Sequence, residues 1–292
     1  MTDARPLFGE TSYPFAVGRV KALEGTLLNA SQWGRLLEAE EAQALSLLRE
    51  WGYGSSSGAD DLESRIRSQL ADTAALLREI APVPGLLDVF CLPTDAHNLK
   101  VLLKSRLVGE PADRLLLAGG CYETELLRVC VEVDDYSLLS PLLGERLRGV
   151  GDLTDPFLLS VTVDNAMFAQ MLHDAGKNEL LRSYLRTQAD FVNRLSAIRA
   201  NRLGWSQQQL DRVLLPADDE LPVSPQDGDL PEVEREMQRA LRRVVAGQKD
   251  DSFGPGPLLY YWLARQQEAR ALRILFAAKR AGQPVTMDDL EL

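Results

Sequence analysis

The segment from Asp95 to Leu107 constrains the fold more than any other stretch of the sequence. On a helical projection its apolar residues form one broad arc, as a helix that faces a protein core requires: Ala96, Leu99, Leu102, Leu103 and Leu107. Asp95 and Arg106 fall inside or beside that arc, about 16 Å apart along the axis, too far to pair with each other. Because an unpaired buried charge is costly, each is expected to find its partner on a neighbouring helix. The segment therefore predicts a helix packed among other helices.

Helical periodicity continues through most of the chain, whereas the alternation typical of strands hardly appears. Leucine, alanine, glutamate and arginine dominate the composition, and all four favour helices. The sequence therefore predicts an all-α protein with about a dozen helices: 13–28, a helix from 29 or 31 to 51, 60–80, 95–107, 112–117, 123–133, 137–147, 156–173, 178–203, 206–215, 232–246 and 258–281. A short segment, 86–91, is expected to lead through Pro93 into the helix that begins at Asp95. Residues 216–231 are interpreted as an acidic, proline-rich loop.

The charge balance and the cysteines indicate the environment of the protein. The formal net charge of −11 argues against non-specific nucleic-acid binding, which depends on Lys and Arg, and suits a basic partner such as the cytoplasmic loops of a membrane protein. Three cysteines without a CxxC pair are interpreted as reduced and mostly buried. We recognise neither a signal peptide nor an apolar run long enough to span a membrane, so a soluble, cytoplasmic protein is expected.

A search for catalytic motifs gives no candidate. Neither His97 nor His173 has a second histidine or a glutamate at the helical spacings of metal ligands. Gly176-Lys177 lacks the other residues of a phosphate-binding loop, and no GxSxG motif occurs. Basic clusters at 239–243 and 265–273 are interpreted as solvated helix faces, with a protein-docking surface as the second interpretation. We therefore predict no catalytic, cofactor-binding or metal-binding residues, no nucleotide binding and no enzymatic activity by the chain alone.

The residue pattern of the segment at Asp95 recurs weakly at two other places in the chain. Aligning Asp95 with Asp190 and Glu268 brings Asn98 onto Asn193, and each copy ends in a basic cluster, which is favourable at a helix C-terminus. From this pattern we predict that a set of polar residues fixes how helices meet: Asp95, Asn98, Lys104, Arg106, Asp190, Asn193, Arg199 and Arg202.

An ordered set of motifs resembles the C subunit of bacterial and archaeal V-type ATPases, a relative of the eukaryotic d subunit. Residues 13–28 resemble the opening helix of that family, and Asp95-Ala-His-Asn-Leu-Lys100 resembles its hallmark helix. Residues 253–259 followed by 268–273 are similar to its C-terminal helix. Further similar positions fall on its long central helix pair: Asp164, Phe168, Tyr184, Asp190, Asn193, Arg199 and Arg202. Ala217-Asp218 departs from the family, which commonly has a glycine pair there.

The resemblance implies an architecture for the whole chain. It implies one compact all-α unit over residues 1–292, in which three similar helical-bundle subdomains form a funnel or socket around a pseudo-threefold axis. The corresponding internal repeats are expected at 13–110, 111–215 and 232–292, the last completed by the N-terminal helix.

The resemblance also implies a non-catalytic function. The chain would be a part of the central rotor that links the D and F subunits of the central stalk to the cytoplasmic face of the proteolipid ring. It would transmit torque for ATP-coupled proton or sodium transport, peripheral to the membrane. The alternative is a helical-repeat scaffold of another complex, in which each repeat touches only its neighbours. An all-α enzyme would need a clustered acid or metal site that the sequence does not show.

Overall fold

A computed structural model describes residues 12–55, 58, 61–111, 113–216 and 223–290, and the regular structure within these ranges is entirely helical. The prediction of an all-α protein is confirmed. Short 3₁₀ turns over Asp113–Leu115 and Val150–Asp152 accompany the α-helices. In the described ranges the α-helices are α1 Tyr13–Glu24, α2 Ala30–Glu38, α3 Glu41–Glu50, α4 Leu62–Ile80, α5 Asp88–Val108, α6 Thr124–Val133, α7 Pro141–Arg146, α8 Pro156–Ala175, α9 Glu179–Leu203, α10 Gln207–Asp211, α11 Leu230–Ala246 and α12 Gly256–Arg280.

The chain divides into two compact units. A terminal unit combines Met1–Pro84 with Ala246–Leu292, and a central unit comprises Gly85–Val245. The division into three repeats around a pseudo-threefold axis stays a prediction.

The terminal unit is built around α12, the last long helix. Leu272, Leu275 and Phe276 of α12 are buried in one apolar cluster with Trp33 of α2 and Ile66 of α4. Helix α1 also packs against α12. Burial of this apolar surface therefore joins the two ends of the chain in one core.

The helix predicted to run to residue 51 is interrupted, which corrects the prediction. Helix α2 ends at Glu38, and α3 begins at Glu41. The last carbonyls of a helix need partners from outside it. Here the Nζ of Lys279 on α12 donates to the carbonyl of Leu37 at 2.9 Å and also to that of Ala39. This tertiary contact, which local sequence does not reveal, stabilises the break.

The central unit is organised around α5, which packs against α6 and α8. Helix α5 begins at Asp88 rather than near Asp95, so the predicted separate segment 86–91 belongs mostly to the helix, and Pro93 lies inside it. Proline removes one helical hydrogen bond. Val89, Phe90 and Leu92 are all buried beside it. We infer that their packing offsets the cost of the proline.

Other predicted segments also differ from the structure, and the helix predicted at 206–215 covers only Gln207–Asp211. The helix predicted at 112–117 is only a 3₁₀ turn over Asp113–Leu115, and residue 112 lies outside the described ranges. The helix predicted at 137–147 starts only at Pro141, after Ser140 caps it. In the predicted loop 216–231, residues 217–222 lie outside the described ranges, 223–229 have no regular structure, and α11 begins at Leu230.

Candidate functional site

Asp95 lies fully buried within α5 and holds a connecting segment in place. Its side chain is 0% exposed, its Oδ2 accepts the backbone N–H of Cys121 at 2.7 Å, and its Oδ1 accepts that of Tyr122 at 3.3 Å. Both amides belong to the segment that precedes α6. Hydrogen bonds from backbone amides stabilise a buried carboxylate. The sequence predicted a partner on a neighbouring helix, whereas these two contacts tie α5 to a loop.

Gly120 allows the loop to approach this carboxylate. A Cβ atom at Gly120 would lie 2.0 Å from Oδ1 of Asp95, which is closer than any real contact. We expect Gly120→Ala to lower the free energy of unfolding by about 1–3 kcal/mol, because the buried acid has to move. Thermal unfolding followed by circular dichroism measures this loss. Gly34→Ala is the control: Gly34 lies in α2 with nothing within 4 Å of its added Cβ, so that change should stabilise. Equal changes in the free energy of unfolding in Gly120→Ala and Gly34→Ala would contradict the prediction.

Two asparagines make the same reciprocal contact on two different helices. Asn98 on α5 donates through Nδ2 to the carbonyl of Leu117 at 2.8 Å, and its Oδ1 accepts the N–H of Leu117 at 2.8 Å. Asn193 on α9 does the same with Leu215, at 3.1 and 2.7 Å. Both asparagines are buried. Each side chain thus satisfies both backbone groups of one loop residue about twenty positions downstream, as the alignment of Asn98 with Asn193 would require.

Basic residues near the ends of α5, α9 and α12 bind backbone carbonyls. Arg106 donates to the carbonyl of Val131 at 2.6 Å and lies 4.0 Å from Oδ1 of Asp134. Arg202 donates to the carbonyl of Gly228 at 2.8 Å, and Lys279 makes the contact with α2 described above. The sequence placed Arg106 inside or beside the apolar arc, and its side chain is 45% exposed. The long aliphatic stem packs while the charged end reaches a carbonyl.

The remaining predicted residues lie nearer the surface. Arg199 on α9 forms an ion pair with Glu234 at 3.5 Å, with both side chains about half exposed. Asp190 is exposed, although the alignment pairs it with the buried Asp95, and Lys104 is half-buried. The role of the whole set in fixing helix geometry stays a prediction. Its buried members are Asp95, Asn98 and Asn193.

Within the described ranges, no three His, Cys, Asp or Glu side chains come together as a group that could hold a metal ion. In the same part of the chain, no helix is both long and apolar enough to cross a membrane. His97 contacts the carbonyl of Leu115 through Nε2 at 2.9 Å, and His173 contacts Asp174 through Nδ1 at 3.1 Å.

Comparison with known protein families identifies the family of this chain. Residues 16–224, more than two thirds of it, match the family described as ATP synthase (C/AC39) subunit. The chain belongs to this family. The C subunit of the V-type ATP synthase of Thermus thermophilus is 27% identical, over 92% of this chain and 94% of that relative. The C subunit of the V-type sodium ATPase of Enterococcus hirae is 23% identical over 75% of this chain and 78% of its own length. The C subunit of the A-type ATP synthase of Halorubrum lacusprofundi is 21% identical over 97% of both chains.

The resemblance predicted from the motifs is thereby confirmed. The match to the C/AC39 family includes α5 and α9 with their buried asparagines, whereas α12 lies beyond residue 224. The relatives from Thermus thermophilus and Halorubrum lacusprofundi align with nearly the whole chain. The contacts of Asp95, Asn98 and Asn193 therefore lie within the part of this C/AC39 member that its family model recognises.

A buried ion pair in the terminal unit was missed from the sequence. Arg265 and Glu268 on α12 have side chains only 3% and 5% exposed, and Nη1 of Arg265 lies 2.7 Å from Oε2 of Glu268. Arg265 also donates to the hydroxyl of Tyr261 at 3.1 Å and to the carbonyl of Thr26 at 3.3 Å, and Glu268 accepts the N–H of Leu28. Burial raises the pKa of Glu268, and Arg265 opposes that shift. Interpreting 265–273 as a solvated face was wrong for Arg265, although the alignment of Glu268 with Asp95 was a usable signal.

The three cysteines are free, and two of them, Cys91 and Cys130, are buried, as the sequence predicted. A hydrogen bond with Cys91 and then burial raise the pKa of Cys121, and burial raises that of Cys130. Only the thiolate reacts readily. We expect Ellman's reagent to modify the native protein slowly at neutral pH and all three thiols rapidly after denaturation, followed by absorbance.

An exposed thiol supplies the control for this reaction. Ser46 is exposed on α3, so Ser46→Cys should react quickly in the native protein. Native thiols that react as fast as the introduced one would contradict the prediction.

Proposed function

We propose that this member of the C/AC39 family is a non-catalytic rotor component that links the D and F subunits of the central stalk to the proteolipid ring at the cytoplasmic face of the membrane. It would transmit torque between ATP turnover and proton or sodium transport. Family membership carries the proposal, because the curated relatives are named as the C subunit of V-type or A-type ATP synthases and of a sodium ATPase.

The polar contacts of the long helices support a torque-bearing role. On α5 and α12 an acid accepts backbone amides, at Asp95 and Glu268, and a base near the helix end binds a carbonyl, at Arg106 and Lys279. Such contacts fix loops to helices with directional bonds rather than with apolar packing alone. A part that passes torque must resist shear, and bonds of this kind serve that purpose.

The charge of the chain supports the choice of partner. Its net charge of −11 favours association with basic surfaces, and the cytoplasmic loops of membrane proteins are enriched in Lys and Arg. We therefore expect the ring contact to weaken as the salt concentration rises.

Reconstitution tests the proposed role. The purified chain should bind both the D–F complex and the detergent-solubilised ring. A V-type complex rebuilt without it should still hydrolyse ATP but fail to couple hydrolysis to ion transport. Absence of binding to either partner would overturn the proposal and would favour a scaffold of another complex.

Cross-linking distinguishes a rotor component from a stationary one. A chemical cross-link between this chain and the ring should leave coupled transport intact, because both would turn together. A cross-link between this chain and the stationary part of the complex should stop it. The reverse result would assign the chain to the stationary part.

A further inference from the structure

The central unit contains a cavity of about 410 Å³ lined mainly by α8 and α9. Pro93 and Ala96 of α5 also contribute to its lining. The volume falls within the range of about 300–1,000 Å³ that is typical of small-molecule sites. Asp95, Asn98 and Asn193 do not themselves line the cavity, although Arg199 and Leu215, the loop partner of Asn193, do.

Aromatic and sulfur-containing side chains form much of the wall. Phe157 and Trp205 meet edge to face, with ring centroids 5.3 Å apart, and Phe168 joins them in the lining. Met167 and Met171 also line the cavity. Aromatic rings and methionine sulfur both make favourable contacts with an aromatic guest.

Two acceptor atoms in this lining have no hydrogen-bond partner among the described residues. Oδ1 of Asn165 on α8 and Oε1 of Gln188 on α9 are buried, and no described protein atom donates to either. Buried polar atoms are nearly always satisfied in folded proteins. Two unsatisfied acceptors from different helices, both in the lining of one cavity, therefore indicate that an occupant supplies donors.

The charged side chains in the lining are already paired. Asp164 lies 2.6 Å from Nζ of Lys100, and Arg199 pairs with Glu234 at 3.5 Å. Because Asp164 and Arg199 are both paired, neither offers an uncompensated charge to a guest, and this favours a neutral guest molecule.

We propose that the cavity binds a small, neutral aromatic molecule that carries an O–H or N–H donor. The ring contacts Phe157, Phe168 and the two methionines, and the donor bonds to Asn165 or Gln188. The site is independent of the proposed rotor function, because neither stalk nor ring binding was used to derive it.

Phenol and toluene test the proposal, since they share a shape and differ in the donor. Titration of the full chain, followed by ligand-observed NMR, should show phenol binding about ten times more tightly than toluene, the size of one net hydrogen bond. The double variant Asn165→Leu/Gln188→Leu should bind both equally. Gln238→Leu on α11, which lies outside the lining, is the matched control and should keep the preference.

A variant that fills the cavity tests whether phenol binds there rather than elsewhere on the protein. Ser196 lines the cavity, so Ser196→Phe should fill it and abolish phenol binding. Phenol binding that persists in Ser196→Phe, equal affinity for phenol and toluene in the unmodified chain, or no binding of either would each overturn the proposal. In the last case water alone would satisfy the two amides.

Discussion

Asp95→Ala is expected to destabilise the central unit by about 3 kcal/mol, because it leaves two part-buried backbone amides without their acceptor. The affected donors are the N–H groups of Cys121 and Tyr122. For a unit of this size the loss corresponds to a fall in melting temperature of roughly 6–12 °C. Asp95→Asn retains one acceptor oxygen, so its loss should be smaller. Thermal unfolding by circular dichroism measures both.

Hydrogen exchange locates the effect. The amides of Cys121 and Tyr122 should exchange faster in Asp95→Ala, since their protection depends on this carboxylate. Glu132→Ala is the control, because Glu132 is an acid that is exposed on α6 of the same unit, and a surface change of this kind costs about 0.5 kcal/mol or less. An unchanged melting temperature in Asp95→Ala would refute the structural role.

Arg265→Met should lower the free energy of unfolding by about 3–5 kcal/mol, since it leaves the buried carboxylate of Glu268 without its cation. The double variant Arg265→Met/Glu268→Leu should recover much of this loss, because neither charge then remains in the core. The stabilities of the unmodified chain, of the single variants Arg265→Met and Glu268→Leu and of the double variant form a double-mutant cycle, and urea denaturation measures all four. A coupling energy near zero would show that the pair is not a unit.

The pH dependence of Arg265→Met follows from the same burial. The pKa of Glu268 is raised, so the folded chain holds that proton more tightly than the unfolded chain, and ionisation costs stability as the pH rises above the ordinary carboxyl range. The loss should therefore shrink as the pH is lowered toward mild acidity. The exposed pair Arg273–Glu63 is the control, with side chains 46% and 39% exposed, and Arg273→Met should cost less than about 1 kcal/mol.

Helix positions were largely predictable, because the local signals agree with the final packing. Asn29, Asp155 and Asn178 cap α2, α8 and α9 as their residue types suggest, and Gly109 and Gly204 end α5 and α9 with left-handed backbone. Family membership was likewise accessible, because its motifs follow the chain in order.

What sequence could not supply depends on contacts between distant segments. The break after Glu38 is stabilised by Lys279, more than two hundred residues away. The Arg265–Glu268 pair carries no local sign of its burial, because Thr26, which binds Arg265, and Leu28, which binds Glu268, precede it by a similar distance. The burial of Asp95 agrees with its place on the apolar arc, yet its backbone partners could not be inferred, since any loop amide has the same chemistry. The cavity lined by Asn165 and Gln188 could not be predicted either, because no sequence periodicity marks the residues that line it.

The two ends of the chain share one core, and this sets an order of events during synthesis. Trp33 and Ile66 emerge from the ribosome long before Leu272 and Phe276, against which they pack. Throughout that interval the early helices expose apolar surface, whereas the central unit, continuous over 85–245, has all its residues before α12 is made. The central unit is thus able to fold while translation continues. A chain stopped before α12 would expose the apolar faces of α2 and α4, which lack their core partner, to chaperones and proteases.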